Sequence, residues 1–335
     1  MGTSTRPKRV AGVLGGVTVA VILAACSSST SSSGSAASGN STASSPAAAS
    51  SASVSPPSLA SVEASSNTIL AAVTPDAAAE AMLPASVKST SDLNIGTQIS
   101  APETFYESDG STLTGDEYLL ASALAKSLGL TPKFNVVQFD ELIPGLTAGR
   151  FDLTIGAMND TALREKTISF IDYYNAGIGM VVKAGNPANI TGPSSLCGHS
   201  VTVQLGTTQQ AFAEAQSKTC ASSGKGAVTI VYGQENSQQL AEVTAGRVDV
   251  FLGDSPTAAY VAEQNPADFQ QADANTPIES APYGIGFEKS QSKLMGAVQA
   301  ALSNLISNGT YGKIMQAWSL QSGEVTAAKI NGMAS

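Results

Sequence analysis

The chain has 335 residues, of which 42% are hydrophobic and only 13% are charged, and this length predicts two domains rather than one. With 17 Lys and Arg against 26 Asp and Glu, the formal net charge is -9, so the basic surface of a nucleic-acid-binding protein is missing. Three cysteines and one histidine leave little material for a metal site or a His-dependent catalytic triad.

The N-terminus has the organisation of an export signal. Basic residues occur before residue 10, and residues 10–25 form an apolar run that is too short for a comfortable membrane span. The run ends in Leu-Ala-Ala-Cys at Cys26, which resembles a bacterial lipobox. The resemblance implies that residues 1–25 are a signal peptide and that the Cys26 thiol carries a lipid anchor. A plain secretory signal followed by a chance cysteine is the alternative.

Residues 26–60 contain no charged side chain and consist almost entirely of Ser, Ala, Thr, Gly and Pro. Such a segment buries too little apolar surface to offset the entropy of the chain, so it is predicted to be a disordered tether. Its r.m.s. reach is roughly 30 Å. No later apolar run approaches 18 residues, and the body is therefore not expected to span the membrane.

The cysteine count favours a disulfide in the body. If Cys26 is lipid-modified, Cys197 and Cys220 remain, and an even pair in an exported protein is typical of a bridge. Closing this loop stabilises the fold by about 3 kcal/mol in the chain-entropy description. Two unpaired buried thiols are the alternative.

Next along the chain, an internal repeat indicates α/β units. Residues 146–152 read Leu-Thr-Ala-Gly-Arg-Phe-Asp, and residues 243–249 read Val-Thr-Ala-Gly-Arg-Val-Asp. Each copy follows a helix-like stretch and precedes a short apolar run. Gly149 and Gly246 stand where the end of a helix favours a positive φ. Each copy therefore predicts a helix, a glycine stop and a buried strand, which is the pattern of a βαβ sheet.

The remaining periodic segments agree with an α/β fold that has two lobes, each a mostly parallel sheet flanked by helices. Ligands in such folds bind outside the carboxyl ends of the strands, so two facing lobes form a cleft. The predicted strands cover 93–97, 134–137, 151–157, 201–204, 229–232 and 248–253, and the predicted helices cover 118–128, 139–148, 208–216, 237–245, 294–306 and 311–318.

Six short motifs in one order resemble the extracellular solute-binding proteins of ABC importers, family 3, the polar amino-acid class. They lie at 139–152, 157–166, 170–174, 203–209, 253–256 and 282–286. The resemblance implies a type II periplasmic-binding-protein-like fold with a two-stranded hinge near 175–177 and 281–284. It also implies that lobe 1 comprises 75–175 and 283–335, and that lobe 2 comprises 176–282.

The resemblance also implies how a free amino acid would bind through its carboxylate. Arg164, in the family's Thr-x-x-Arg motif with Thr161, would be the bidentate, permanently charged partner. Thr207 and Thr208 open a helix whose N-terminus favours the same anion. Asn159 stands where the family offers a backbone N–H. A solvated surface arginine is the alternative for Arg164.

Asp254 would take the ammonium group, because it follows the strand 248–253 and corresponds to Ala157 in the repeat. Both residues are expected to point from strand ends into the cleft. Phe139 matches the family's aromatic wall for the ligand side chain. A turn-forming Asp254 before Ser-Pro and an ordinary core Phe139 are the alternatives.

The first loop departs from the family pattern. Ala101 stands where an aromatic residue is usual, Gln98 replaces a common aspartate, and Glu103 falls near the next ligand contact. A carboxylate there would suit a cationic or amide side chain, although a solvated loop glutamate is an equal alternative. The identity of the amino acid therefore stays open.

Together these patterns predict a lipid-anchored substrate-binding protein on the extracellular face of the bacterial cytoplasmic membrane. It would bind a free amino acid, polar or cationic by preference, and deliver it to ABC permease subunits. We expect a monomer with no cofactor, no metal site and no catalytic residues, and His199 lacks the spacing of a metal ligand. A cyclohexadienyl-dehydratase-like enzyme with Glu103 as general acid, or a non-transport sensory lipoprotein, are the alternatives.

Overall fold

The computed structural model describes residues 58–272 and 277–333. The predicted signal peptide, the lipidation site Cys26 and most of the predicted tether lie outside the described residues. The helices are α1 (Leu59–Ala72), α2 (Ala77–Met82), α3 (Ala85–Thr90), α4 (Asp116–Ser127), α5 (Leu142–Thr147), α6 (Thr208–Ser222), α7 (Asn236–Thr244), α8 (Ser255–Gln264), α9 (Ser292–Ser307) and α10 (Thr310–Ala317). The strands are β1 (Asp92–Thr97), β2 (Phe105–Tyr106), β3 (Leu113–Thr114), β4 (Thr131–Val136), β5 (Leu153–Thr154), β6 (Ile168–Lys183), β7 (Ser200–Gln204), β8 (Thr229–Gly233), β9 (Val250–Asp254), β10 (Phe269–Ala272) and β11 (Ile278–Glu288).

The strand order confirms the predicted two-lobed α/β fold. Among the described residues the main sheet runs β4-β1-β5-β11-β6-β9-β7-β8, with β10 also paired to β6. In lobe 1, β1 pairs in parallel with β4 and β5, and in lobe 2, β7 pairs in parallel with β8 and β9. The long antiparallel strands β6 and β11 pair along most of their length and connect the two lobes. Each half of the sheet is thus parallel, and the connection between the halves is antiparallel.

The sequence repeat is also a structural repeat. Gly149 and Gly246 have φ of 71° and 68° at the ends of α5 and α7. Asp152 then accepts a hydrogen bond of 2.7 Å from the backbone N–H of Asn94, at the start of β1. Asp249 accepts the equivalent bond of 2.8 Å from Ser200, at the start of β7. The spacing shared by the two repeats therefore places one helix stop and one strand anchor at the same point of each lobe.

Each lobe has its own hydrophobic core against the sheet. In lobe 1, Leu120 and Leu124 of α4 form an i, i+4 pair and belong to one cluster with apolar residues of α9, α10, β1 and β11. In lobe 2, Val201, Phe212 and Val250 belong to a separate cluster. Cys197 and Cys220 form the predicted disulfide, which ties the segment before β7 to the C-terminal part of α6.

Helix α1 begins earlier than the end of the predicted tether. The side chain of Ser58 caps the helix by accepting from the N–H of Ser61, and Leu59 and Val62 pack against the core of lobe 1. Lys126 of α4 donates to the carbonyl of Leu70 at 2.6 Å. Residues 59 and 60, which the composition assigned to the tether, are therefore helical because their apolar neighbours find a surface to bury. Of the described helices, none has the length and apolar content that a bilayer crossing requires.

The C-terminal segment covers three carboxylates behind the hinge. Asp172 of β6 donates its N–H to the carbonyl of Lys329 at 2.8 Å, so the segment pairs with the hinge strand. Asp160, Glu165 and Asp172 are buried beneath it. Burial and the charge of Asp172 raise the pKa of Asp160 to about 7, and burial raises the pKa of Asp172 to about 6. Arg164 faces Asp160. Lys329 lies near Asp172, and its positive charge lowers the pKa of Asp172, against the effect of burial.

These raised pKa values predict how stability depends on pH. The ordinary pKa of an aspartate is about 4, so between about pH 4 and pH 7 the folded protein binds more protons at this cluster than the unfolded chain does. The free energy of unfolding should therefore fall as pH rises through this window. Asp160→Asn should flatten that fall and make the protein more stable than the wild type at pH 8, as measured by urea denaturation at pH 5 and pH 8.

Asp109→Asn provides the control for this comparison. Asp109 is exposed, and its hydrogen bonds with Thr112 lower its pKa to about 2, so it does not titrate between pH 5 and pH 8. The control should keep the pH dependence of the wild type. An Asp160→Asn variant with an unchanged pH dependence would show that the cluster does not titrate in this range.

Candidate functional site

The predicted site residues gather where strands of both lobes end. Gln98 follows β1, Ala157 and Asn159 follow β5, Thr207 follows β7, and Asp254 ends β9. Because the carboxyl ends of parallel strands meet at one edge of each lobe, these side chains face each other across the cleft. The fold thus brings together residues that are up to 156 positions apart, the separation of Gln98 and Asp254.

Arg164 connects the two lobes. Its guanidinium donates to the carbonyl of Asn159 at 2.7 Å and, across the cleft, to the carbonyl of Gly206 at 2.9 Å. The guanidinium carbon lies 5.2 Å from the centre of the Phe139 ring, a cation–π contact. Burial lowers the pKa of Arg164 to about 10, so the group stays charged at neutral pH. The two bonds use only part of the donor set of the guanidinium, and the remainder is available for an anion.

Thr161 holds the turn that carries Arg164. Its hydroxyl accepts from the backbone N–H of Arg164 at 3.2 Å. The predicted threonine thus acts on the backbone of the arginine. Phe139, for its part, is buried and belongs to a hydrophobic cluster with Leu142 and Met158. Phe139 therefore packs in the core and also contacts Arg164 with the face of its ring.

The two threonines at the start of α6 have different tasks. Thr207 is the N-cap: its hydroxyl accepts from the N–H of Gln210 at 3.1 Å and donates to the carbonyl of Gln204 at 2.6 Å. Thr208 instead donates across the cleft to the side-chain oxygen of Asn159 at 3.0 Å. The α6 N-terminus, with its favourable field for an anion, therefore lies close to Arg164.

Asp254 is half-buried beside α6 and accepts a 2.8 Å hydrogen bond from the side chain of Gln209. Burial raises the pKa of Asp254 to about 6, while the bond from Gln209 and the charge of Arg164 act in the opposite direction. Gln209 was absent from the predicted site residues, although it closes one of the family motifs. Asp254 also starts helix α8, so the turn before Ser-Pro is a helix N-terminus.

Glu103 is a buried cleft residue, and the prediction that allowed a solvated loop glutamate is wrong on this point. Only 2% of its surface is exposed. Its carboxylate accepts from the hydroxyl of Ser100 at 2.9 Å and from the hydroxyl of Thr257, on α8 of the other lobe, at 3.2 Å. Burial and the charges of Glu117 and Asp254 raise the pKa of Glu103 well above its usual value.

Ser100, Thr257 and Asn236 are site residues that sequence reasoning missed. Asn236 donates to the hydroxyl of Ser100 at 3.1 Å, so the first turns of both α7 and α8 reach the first loop of lobe 1. The only sequence signal for Thr257 is its position three residues after Asp254, on the first turn of a helix that had not been predicted.

Gln98 adds a further contact between the lobes. Its amide donates to the carbonyl of Gly156 at 3.0 Å, and its side-chain oxygen accepts from Gln204 at 3.1 Å. Gln98 is therefore buried and uncharged where the family commonly has an aspartate.

Ala157 lies at the edge of the site, and its backbone is already engaged. Its N–H donates to Glu117 at 2.7 Å, and the hydroxyl of Tyr173 contacts the same carboxylate. Burial raises the pKa of Glu117 to about 7, against the effect of these two hydrogen bonds. Ala157, with φ of 52°, thus positions the segment that leads to Asn159 and Arg164.

The cleft therefore combines a guanidinium and a helix N-terminus with two carboxylates, the buried Glu103 and the half-buried Asp254. This arrangement suits a small solute that carries an anionic group near Arg164 and cationic groups near the carboxylates. His199 lies elsewhere, before β7 at the end opposite the cleft, with its Nδ1 3.4 Å from Asp249. Within the described ranges, no group of His, Cys, Asp and Glu has the geometry of a metal site.

Comparison with known families agrees with this geometry. Residues 93–321 match the family of bacterial extracellular solute-binding proteins, family 3. The chain belongs to this family. The matched range includes every cleft residue described above and excludes helices α1–α3 and the segment that follows residue 321.

The similar proteins are solute-binding proteins. The arginine-binding protein ArgT of Corynebacterium glutamicum is 28% identical over 254 residues, which cover 75% of this chain and 82% of the relative. The lysine/arginine/ornithine-binding periplasmic protein of Escherichia coli is 28% identical over 254 residues, which cover 74% of this chain and 92% of the relative.

Two solved structures are also similar. An ancestral arginine-binding protein bound to arginine is 33% identical, with a TM-score of 0.63, over 68% of this chain and 98% of that one. The ancestral amino acid-binding protein AncCDT-1, a precursor of cyclohexadienyl dehydratase, is 30% identical, with a TM-score of 0.63, over 70% of this chain and 97% of that one.

Proposed function

We propose that this protein is the membrane-anchored substrate-binding protein of an ABC importer and that it binds a free cationic amino acid between its lobes. The observation that carries the proposal is the charge of the cleft. The guanidinium of Arg164 acts on the half-buried Asp254, and the buried Glu103 lies near Asp254. An α-amino acid supplies one carboxylate for Arg164 and one ammonium for Asp254. A cationic side chain on the ligand would favour the ionised form of Glu103, because burial otherwise raises the pKa of this carboxyl.

The relatives support the same class of ligand. Arginine is named for the relative from Corynebacterium glutamicum and for an ancestral structure, and lysine, arginine and ornithine are named for the relative from Escherichia coli. We infer that Arg164, Thr208 and Asn159 hold the α-carboxylate and that Asp254 and Gln209 hold the α-ammonium. Glu103 then receives the side-chain cation, and Gln98 and Phe139 border it.

The proposal includes the domain organisation expected from the sequence. Lobe 1 comprises 75–175 and 283–335, and lobe 2 comprises 176–282. Closure would bend β6 and β11 where these strands pass from one lobe to the other. The bonds from Arg164 to Gly206 and from Thr257 to Glu103 join these lobes, so a ligand that replaces them favours closure. Lipid on Cys26 and a tether would keep the monomeric body on the extracellular face, within reach of the permease.

An enzyme of the cyclohexadienyl dehydratase type is the second candidate, because Glu103 is buried with a raised pKa, as a general acid would be. The charge of the cleft argues against it. Prephenate carries two carboxylates, and its second carboxylate would approach Glu103 and Asp254. We therefore propose binding without catalysis, and incubation with prephenate or arogenate should form no aromatic product.

Calorimetry with purified protein tests the proposal directly. Arginine, lysine and ornithine should bind more tightly than glutamine, and glutamate should bind least because its side chain repels Glu103. Absence of binding by every amino acid at millimolar concentration, or a preference for glutamate, would overturn the proposal.

Removing Arg164, the proposed partner of the ligand carboxylate, should weaken binding of all amino acids alike. Arg164→Ala loses at least two charge-assisted hydrogen bonds, so affinity for arginine and for glutamine should each fall by about 100-fold or more. Arg150→Ala is a matched control, because Arg150 also lies over a phenylalanine ring, at 5.4 Å from Phe151, but outside the cleft. Calorimetry should show wild-type affinity for the control, and selective loss of one ligand by Arg164→Ala would contradict the common role.

Binding should also release protons. A ligand ammonium favours the ionised form of Asp254, whose pKa of about 6 without ligand is raised by burial. Affinity should therefore fall as pH drops below about 6, by up to about tenfold per pH unit for each coupled proton. Titrations at pH 5.5 and pH 7.5, in two buffers that differ in ionisation enthalpy, measure both effects. Equal affinity at the two pH values would exclude this coupling.

A further inference from the structure

A second cavity crosses the boundary between the lobes, next to the polar cleft. It has a volume of about 310 Å³, and we refer to it as the boundary pocket. Lobe 1 contributes Ile99, Ala101 and Phe105, and lobe 2 contributes Leu240 and Val261. These five side chains make the pocket mainly apolar, and Glu235 and Asn236 of lobe 2 also line it.

The boundary pocket shares a wall with the site of Glu103. Ser100 and Thr257 line the pocket, and both donate hydrogen bonds to the Glu103 carboxylate. The two hydroxyl oxygens lie 3.3 Å apart and form the partition between the pocket and the carboxylate. A group attached to a cation at Glu103 would therefore reach the pocket past these two hydroxyls.

Ala101 determines how much space lies beyond this partition. Its side chain is a single methyl group at the pocket wall, between the polar Ser100 and the ring of Phe105 along the same loop. A larger side chain at this position would occupy the pocket. The space also depends on both lobes, so a group that fills it stabilises the closed arrangement more than the open one.

We propose that the boundary pocket is an apolar subsite of the cleft, which accepts an alkyl group attached to the distal end of a cationic amino acid. The ligand class is an arginine or lysine that carries a short alkyl substituent on its terminal nitrogen. Ala101 is the specificity-determining residue that keeps the subsite open. The proposal rests on the proposed function, because Glu103 must hold the cation to which the alkyl group is attached.

Calorimetry of the full chain with L-arginine and Nω-propyl-L-arginine tests the subsite. Burying two or three methylene groups should make the propyl ligand bind about tenfold more tightly to the wild type. Ala101→Phe fills the pocket from lobe 1 and should remove this gain while arginine still binds. Ser237→Phe fills it from lobe 2, at an exposed position on α7, and should have the same effect without a risk to the fold.

Gln238→Phe is the matched control, because Gln238 is the exposed neighbour on the same helix and does not line the pocket. The control should keep the tenfold gain. If the wild type binds arginine but rejects the propyl ligand, the subsite is wrong and the proposed function stands. If neither ligand binds, the proposed function itself fails.

A free apolar molecule, not attached to the amino acid, could also fill the boundary pocket. Titration of free 1-propanol into the arginine-loaded protein distinguishes the two. No effect of propanol together with tight binding of the propyl ligand supports an attached group. Tighter arginine binding in propanol, combined with rejection of the propyl ligand, would overturn the proposal.

Discussion

The structure depends on burying more negative than positive charge where the strands of its two lobes end. Glu103 and Asp254 lie close together in the cleft, the charge of Arg164 acts on Asp254, and burial raises the pKa of both carboxyls. In an ordinary core this imbalance would favour replacement by apolar residues. Here hydroxyl and amide donors from the opposite lobe, Thr257 and Gln209, partly satisfy the carboxylates. In the proposed function, a cationic ligand would complete this charge balance between the lobes.

Polar hydrogen bonds connect the two lobes across the cleft. Water can replace the bonds from Arg164 to Gly206 and from Thr208 to Asn159 when the lobes separate, so opening costs little. The main apolar cores of lobe 1 and lobe 2 are separate clusters, and at the boundary the rings of Phe105 and Tyr260 also meet, with centroids 5.9 Å apart. Rigid lobes joined by the continuous strands β6 and β11 can then move against each other without exposing either core.

Sequence reasoning was most successful where a short motif around a residue determines its position. Gly149 and Gly246 carry the positive φ that a helix stop requires, and Arg164 lies in the cleft. It missed Thr257 and Glu117 because their roles depend on contacts 154 and 40 residues away. Helix α8 was hidden because Asp-Ser-Pro starts a turn and a helix N-terminus equally well. Helix α1 was hidden because its Ser- and Ala-rich composition continues that of the tether, and only packing against lobe 1 stabilises it.

The carboxylates behind the hinge extend the charge argument beyond the cleft. Asp160 follows Asn159 directly, and its N–H donates to the carbonyl of Pro282 in the hinge strand β11. One short segment therefore presents Asn159 to the cleft and Asp160 to the buried cluster under the C-terminal residues. Asp160 also lies near the charge of Arg164, so it links the cleft to the buried cluster electrostatically. A change of charge at Asp160 therefore acts on both sides of this segment, because it alters the field at the guanidinium and the stability of the packing behind it.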